Sequence, residues 1–264
     1  MFDLKYDSRI LLIYLAVKYQ GDLDKILTAL EIKDVDIPYE EAMRVYNSLS
    51  CQAVTILDYE YPRKLLHVFR PPIVLFYYGD LSLFDKQIMA AVGSRDYSDY
   101  GKQCTETIIK DIAKGRVVIS GLAKGIDTIA HQCAIDHGGR TIAVLGSGID
   151  YCYPSENKEL YEEIKKNHLL ISEYPFNTPP SADHFPMRNR IVVGLADGIF
   201  IPQINSFMSG TMISISLGLQ LGKPIYVAPH PPGSETINNH FINEGAILAD
   251  SGRQILEDIG WLKK

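Results

Sequence analysis

From Ile73 to Pro229 the chain repeats one rhythm: a short unbroken apolar run, a glycine or polar turn, then a helical pattern. The apolar runs are IVLFYYG, IMAAVGS, RVVISG, TIAVLG, LLISEY, GIFIPQ and PIYVAP. Such runs must be covered on both faces, and strands separated by helices pair in parallel through crossovers. The expected fold class is therefore α/β, with a doubly wound, mostly parallel sheet.

The first 60 residues follow another pattern. RILLIYLAVKY, LDKILTALEI and PYEEAMRVYNSL carry helical spacing, and Pro38 stands where a helix start tolerates proline. We expect a small N-terminal all-helical domain over 1–60. The stretch DYEYPRKLLHVFRPP reads as a linker, and a Rossmann-like domain is expected over 61–264. The opening MFDLKYDSRILLIYLAVKYQGD has charges on both sides of its apolar run and no small-residue cleavage site, so it reads as an amphipathic helix rather than a signal peptide. No window of about 18 uncharged apolar residues exists, so no membrane span is expected. The four cysteines form no C-x-x-C pair, which fits reduced thiols and a cytoplasmic location and leaves no zinc motif.

Ligands of an open α/β sheet bind where the carboxyl ends of strands lead into helices. Four such loops are rich in small residues: Gly93-Ser94-Arg95-Asp96, Gly121-Leu122-Ala123-Lys124-Gly125, Gly146-Ser147-Gly148, and Ser209-Gly210-Thr211 at a helix start. Small residues let backbone amides approach an anion, and each following helix presents its positive end. A net charge of -6 supplies no global attraction for nucleic acid, so binding needs a local basic patch. HFPMRNR offers one: Arg188 and Arg190 flank Asn189, with Phe185 just before. Together with Arg95, forked phosphate donors beside an aromatic platform suit single-stranded nucleic acid.

The runs GSR (93–95), SGLAKGIDTIAH (120–131), GGRTIAVLGSGIDYCYPSENKELYEEI (138–164), SEYPFNTPPSADHFPMRNRIVVGLADG (172–198) and SGTMISISLGLQLGKPIYVAPH (209–230) resemble the DNA-processing protein A (DprA/Smf) family. The resemblance spans roughly residues 60 to 250 in order. It implies an extended Rossmann fold that binds and protects single-stranded DNA and promotes loading of the RecA recombinase in natural transformation and recombination. It also implies a homodimer, no catalytic residues, no cofactor and no metal. The family's optional C-terminal winged-helix-like domain is expected to be absent, since the sequence stops at Lys264.

Carried over by motif, the DNA site comprises Ser94 and Arg95, the turn Gly121, Lys124 and Gly125, then Phe185, Arg188, Asn189 and Arg190, and finally Ser209, Gly210 and Thr211. The Gly121 turn is expected to hold a phosphate of the strand. This chain departs from many relatives at Ala182-Asp183 and at Met208, where those carry basic residues.

The rival reading is a nucleotide-binding or phosphoribohydrolase-like Rossmann enzyme. Those hydrolases use P-G-G-x-G-T-x-x-E, whereas SGTMISIS has no carboxylate, and glycosidic hydrolysis needs positioned carboxyl groups. An interaction-only scaffold is a third reading. Asp127 reads as a helix cap with His131 one turn on as its partner, His184 as a local hydrogen-bond partner, and Cys104, Cys133 and Cys152 as buried small residues. Glu173 caps a loop or meets an arginine.

Overall fold

The computed structural model describes residues 7–32 and 37–262. Three helices come first: α1 (Ser8–Lys18), α2 (Leu23–Glu31) and α3 (Tyr39–Asn47). Met1–Tyr6 of the expected amphipathic helix lie outside the described residues; within them the helix starts at Ser8, capped by the Asp7 side chain on the Arg9 amide. Pro38 does sit at the N-cap of α3.

The sheet follows in chain order as β1 (Gln52–Thr55), β2 (Val74–Gly79) and β3 (Ile88–Ala91), then α4 (Asp99–Ile112), β4 (Val117–Ser120), α5 (Ile126–Asp136) and β5 (Arg140–Leu145). Next come α6 (Lys158–Asn167), β6 (Leu169–Ser172), α7 (His184–Leu195), β7 (Gly198–Ile201) and α8 (Gly210–Gln220). The described chain closes with β8 (Ile225–Val227), α9 (Asn238–Asn243), β9 (Ile247–Leu248) and α10 (Gly252–Asp258).

Among the described residues these strands form one nine-stranded sheet in the order β1-β2-β6-β5-β4-β3-β7-β8-β9. All pairs from β6 to β9 are parallel, while β2 is antiparallel to both β1 and β6. The mixed α/β class and mostly parallel sheet agree with the sequence reading. The exception is IVLFYYG. Only Asp80–Gln87 separate β2 from β3, too few for a crossover helix, so β2 ends at the edge where β3 begins and runs the opposite way. The sheet also starts at residue 52, inside the stretch expected to be all-helical.

Within β3 the pleat divides the core. Ile88 and Ala90 face α7 and α8, whereas Met89 and Ala91 face α4, α5 and α10. The N-terminal helices are not a separate ball. Ile13, Leu15 and Ile26 share one core with Phe76, Ala143 and Leu170 of the sheet and with α6. From β3 the chain winds outward through β4, β5 and β6, then returns to the other side of β3 as β7. The switch point lies between β3 and β7, where a ligand crevice opens at the strand ends.

Candidate nucleic-acid interface

A cavity of about 450 Å³ occupies this switch point. The loops after β3 and β7 are tied together beneath it. The Ser94 amide donates to the Gln203 carbonyl (2.9 Å), the Asn205 amide to Ser94 Oγ (3.0 Å), and Asn205 Nδ2 to the Asp96 carbonyl (2.7 Å). These bonds hold the Ser94 backbone and leave the Arg95 side chain outside. Among the described residues Arg95 makes no ion pair or side-chain hydrogen bond, and its Cζ lies 6.0 Å from the Phe185 ring centroid. It is an available cation against an aromatic face. Asn205 is a lining residue that the sequence reading missed; only its place after β7 marks it.

Opposite stands the N-terminus of α8. Ser209 is its N-cap, yet its side chain makes no cap bond, and its Oγ is buried without a partner. Among the described residues the amides of Gly210 and Thr211 find no acceptor. Thr211 is 3% exposed, lines the cavity, and its hydroxyl has no hydrogen-bond partner among the described residues. A Cβ on Gly210 would meet nothing within 4 Å, so the space above it is open. Unsatisfied helix-start donors beside an unpaired guanidinium make an anion site.

The Gly121 turn is built differently from the expected phosphate cradle. The Asp127 carboxylate already accepts the amides of Gly121 (3.1 Å) and Ala123 (3.3 Å), which makes Asp127 the cap of its own turn. Gly121 is small for another reason: a Cβ there would lie on the Arg188 guanidinium. Gly125, at φ +85°, packs against the carbonyls of Ser94 and Arg95, where any side chain would collide. Lys124 stands on the rim, paired with Glu156.

The two arginines of HFPMRNR diverge, as a spacing of two on a helix requires. Arg188, 6% exposed, lines the crevice. Its Nη1 donates to the Val144 carbonyl (2.6 Å) and the Gly121 carbonyl, and its Nε to Asn189 Oδ1 (3.0 Å). Among the described residues Nη2 has no acceptor. Burial lowers its pKa, an effect that the nearby Asp127 charge opposes. Asn189 Nδ2 reaches the Gly210 carbonyl at 3.3 Å, linking α7 to the start of α8.

Arg190 does not join them. It is 2% exposed, with Nη2 bidentate on Glu173 (2.6 and 2.8 Å), Nε on the Arg70 carbonyl (2.9 Å) and Nη1 on the Met187 carbonyl (2.7 Å). Its placement in the site is corrected: all three guanidinium nitrogens are taken up internally. Glu173 meets an arginine, as one of its two readings had it. His131 does not pair with Asp127; its Nδ1 lies 2.6 Å from Thr141 Oγ1. The His184 ring stacks on Tyr174 at 3.9 Å. Cys133 is buried, whereas Cys104 and Cys152 are half-buried.

Eight of the twelve expected residues thus border one cavity: Ser94, Arg95, Phe185, Arg188, Asn189, Ser209, Gly210 and Thr211. Gly121 and Lys124 border a smaller cavity beside it, and Gly125 supports the Arg95 loop from behind. No group of three metal-ligating side chains occurs among the described residues.

An open doubly wound sheet with an arginine-lined, aromatic-flanked crevice at its switch point defines a Rossmann-like α/β protein. The sequence profile of the DNA recombination-mediator protein A family matches residues 52–260, and the chain belongs to that family. It is 39% identical to the DNA processing protein DprA of Streptococcus pneumoniae over 77% of this chain and 73% of the relative. With DprA of Bacillus subtilis the identity is 37% over 89% and 82%. The X-ray structure of DprA from S. pneumoniae superposes with a TM-score of 0.78 at 32% identity, covering 94% of this chain and 95% of that one. The DNA processing protein A of Helicobacter pylori, whose structure describes a unique single-stranded DNA binding mode, gives 0.73 at 31% identity over 80% and 97%. Both curated relatives are described as DNA processing proteins, and the family as recombination mediators. No helix among the described residues is long and apolar enough to cross a membrane.

Proposed function

We propose that this chain binds single-stranded DNA in the crevice between β3 and β7 and acts there as a recombination mediator. One observation carries the reading: the unpaired Arg95 and the free amides of Gly210 and Thr211 converge on one cavity that Phe185 flanks. Phosphate fits the donors, an unpaired base fits the ring, and a flexible strand offers both at once. The single-stranded DNA binding mode described for the H. pylori relative supports it. Arg188 contributes its free Nη2 from the cavity wall, and Gly121 contributes by leaving room for that guanidinium rather than by donating.

Delivery of the bound strand to a RecA-type recombinase, homodimer formation and a cytoplasmic setting belong to the same proposal through the family. The hydrolase alternative finds no acid in the first turn of α8; of the two carboxylates that line the crevice, Asp127 is held by two amides and Asp96 stands exposed at the rim.

Fluorescence anisotropy at fixed salt tests the reading with single-stranded DNA, duplex of equal length and mononucleotides. The single strand should bind tightest, with little dependence on sequence. Equal or tighter duplex binding overturns it.

A further inference from the structure

Three cations stand at this end of the sheet, and they are held in three different ways. Arg95, Lys124 and Arg188 border one cavity of about 200 Å³ beside the crevice, and no acid lines it. Arg95 is unpaired among the described residues, and Arg188 is fixed to the Val144 and Gly121 carbonyls. Lys124 is held from outside by Glu156, which reaches it from just before α6.

The backbones on both sides of that pair are anchored. Thr128 Oγ1 donates to the Ala123 carbonyl (2.7 Å), and Gly125 packs against the carbonyls of Ser94 and Arg95, so Lys124 sits between two fixed neighbours. Asn157, buried and next to Glu156, donates from Nδ2 to the Leu122 carbonyl (2.9 Å) and to Thr128 Oγ1 (2.8 Å). The approach to α6 is thereby clamped to the turn that carries Lys124. What is left to move is the two side chains.

Those side chains are 57% and 59% exposed, and an ion pair so exposed shifts an equilibrium by less than about fivefold. Opening it strands neither partner. Glu156 keeps the Ser155 hydroxyl, which donates to Oε2 (3.2 Å), and it stands before the positive end of α6. Lys124 turns to whatever anion the cavity admits. The Arg190–Glu173 pair, 3% and 7% exposed, has no such freedom.

Resting on the DNA-binding reading above, we propose that Glu156 masks a phosphate contact: Lys124 joins the site only by exchanging the Glu156 carboxylate for a phosphate of the bound strand. A strand already seated at Arg95 and the start of α8 presents its next phosphate to Lys124 at high effective concentration, which drives the exchange. Glu156 touches no DNA in this scheme. It sets the affinity through Lys124.

Fluorescence anisotropy with an oligothymidylate over a salt series tests the exchange. Glu156→Gln removes the charge and keeps an acceptor for Ser155. It should bind the strand about 3- to 5-fold tighter than the parent, with a salt slope steeper by up to about 0.7, one contact's share. In a Lys124→Ala background the same substitution should change affinity and slope far less, because the mask has nothing left to cover. An equal gain in both backgrounds assigns the effect to repulsion between Glu156 and the strand and overturns the mask. A folded Glu156→Gln variant with the parent's affinity and slope overturns it as well. If that happens while Arg95→Ala still weakens binding, the crevice reading stands without the mask. A parent that binds no single strand overturns the crevice reading and the mask together.

Discussion

The Asp127 carboxylate holds the Gly121 amide at 3.1 Å and, with Ala123, occupies the donors of a turn that would otherwise be open to a ligand. Burial raises the Asp127 pKa, while Arg188 and the two amides pull it back. The turn is thus a rigid base for Arg188. Replacing Asp127 by Ala leaves two buried amides without an acceptor and Arg188 without its counter-charge. Urea denaturation should show a loss of about 3–5 kcal/mol. Asp127→Asn keeps one acceptor oxygen and should lose less. A parent-like midpoint for Asp127→Ala would contradict this account.

Arg95 and Arg190 should separate binding from folding. Arg95 has no partner among the described residues, so Arg95→Ala should unfold as the parent does. It should bind single strands more weakly, with the slope of log affinity against log salt flattened by about 0.7. Arg190→Met strands Glu173 as a buried carboxylate and should cost about 3–5 kcal/mol of stability. The fraction that folds should keep the parent's slope.

Gly210→Ala probes the start of α8. The methyl would meet no protein atom within 4 Å, so thermal stability should hold. It would stand where a phosphate approaches the amides, and DNA affinity should fall about tenfold, equivalent to losing one charge-assisted hydrogen bond. Isothermal titration with a single strand reads this directly; undiminished affinity would place the phosphate elsewhere.

Met208 is 97% exposed, directly before the α8 cap, and Ala182 and Asp183 are exposed before α7. Met208→Lys should tighten binding and steepen the salt slope by about 0.7. An unchanged slope with no gain in affinity would mean that the added charge stands off the strand's path.

His131 predicts acid sensitivity. The Thr141 hydroxyl donates to the Val118 carbonyl (2.7 Å), so His131 Nδ1 must donate to Thr141 Oγ1, and Nε2 is left buried without a partner. Burial, with Arg188 and His168 adding like charge, lowers its pKa to about 3. The unfolded chain takes up that proton near pH 6.5. The folded value is the depressed one, so stability is full above about pH 6.5 and falls as pH drops towards 3, by up to about 5 kcal/mol. Denaturation midpoints at pH 7.5, 6 and 5 should decline in the parent and flatten in His131→Leu. Parallel declines in both would assign the effect to other groups.

The strands were legible because burial on both faces leaves each an unbroken apolar run. QAVT of β1 was not: four residues at a sheet edge carry too short a pattern to stand out beside three helices. In the site, Arg95 and Ser209-Gly210-Thr211 could be read because glycine and serine punctuate the loops after strands. The separate fates of Arg188 and Arg190 could not. Helical spacing says that they diverge, but only the packed position of α7 says which one faces the crevice. Glu156 carried no signal of its own, and its place beside Lys124 comes from tertiary packing between residues 32 positions apart.

The shared core of the N-terminal helices and the sheet bears on how this protein can be cut. Ile13, Leu15 and Ile26 cover Phe76, Ala143 and Leu170, and the cover continues to Leu122 in the turn beneath Arg188. Removing residues 1–51 in search of a minimal binding fragment would strip wet apolar surface bare on the flank that carries the crevice. The shared core predicts that the helices and the sheet melt in one transition, which calorimetry of the whole chain reads directly.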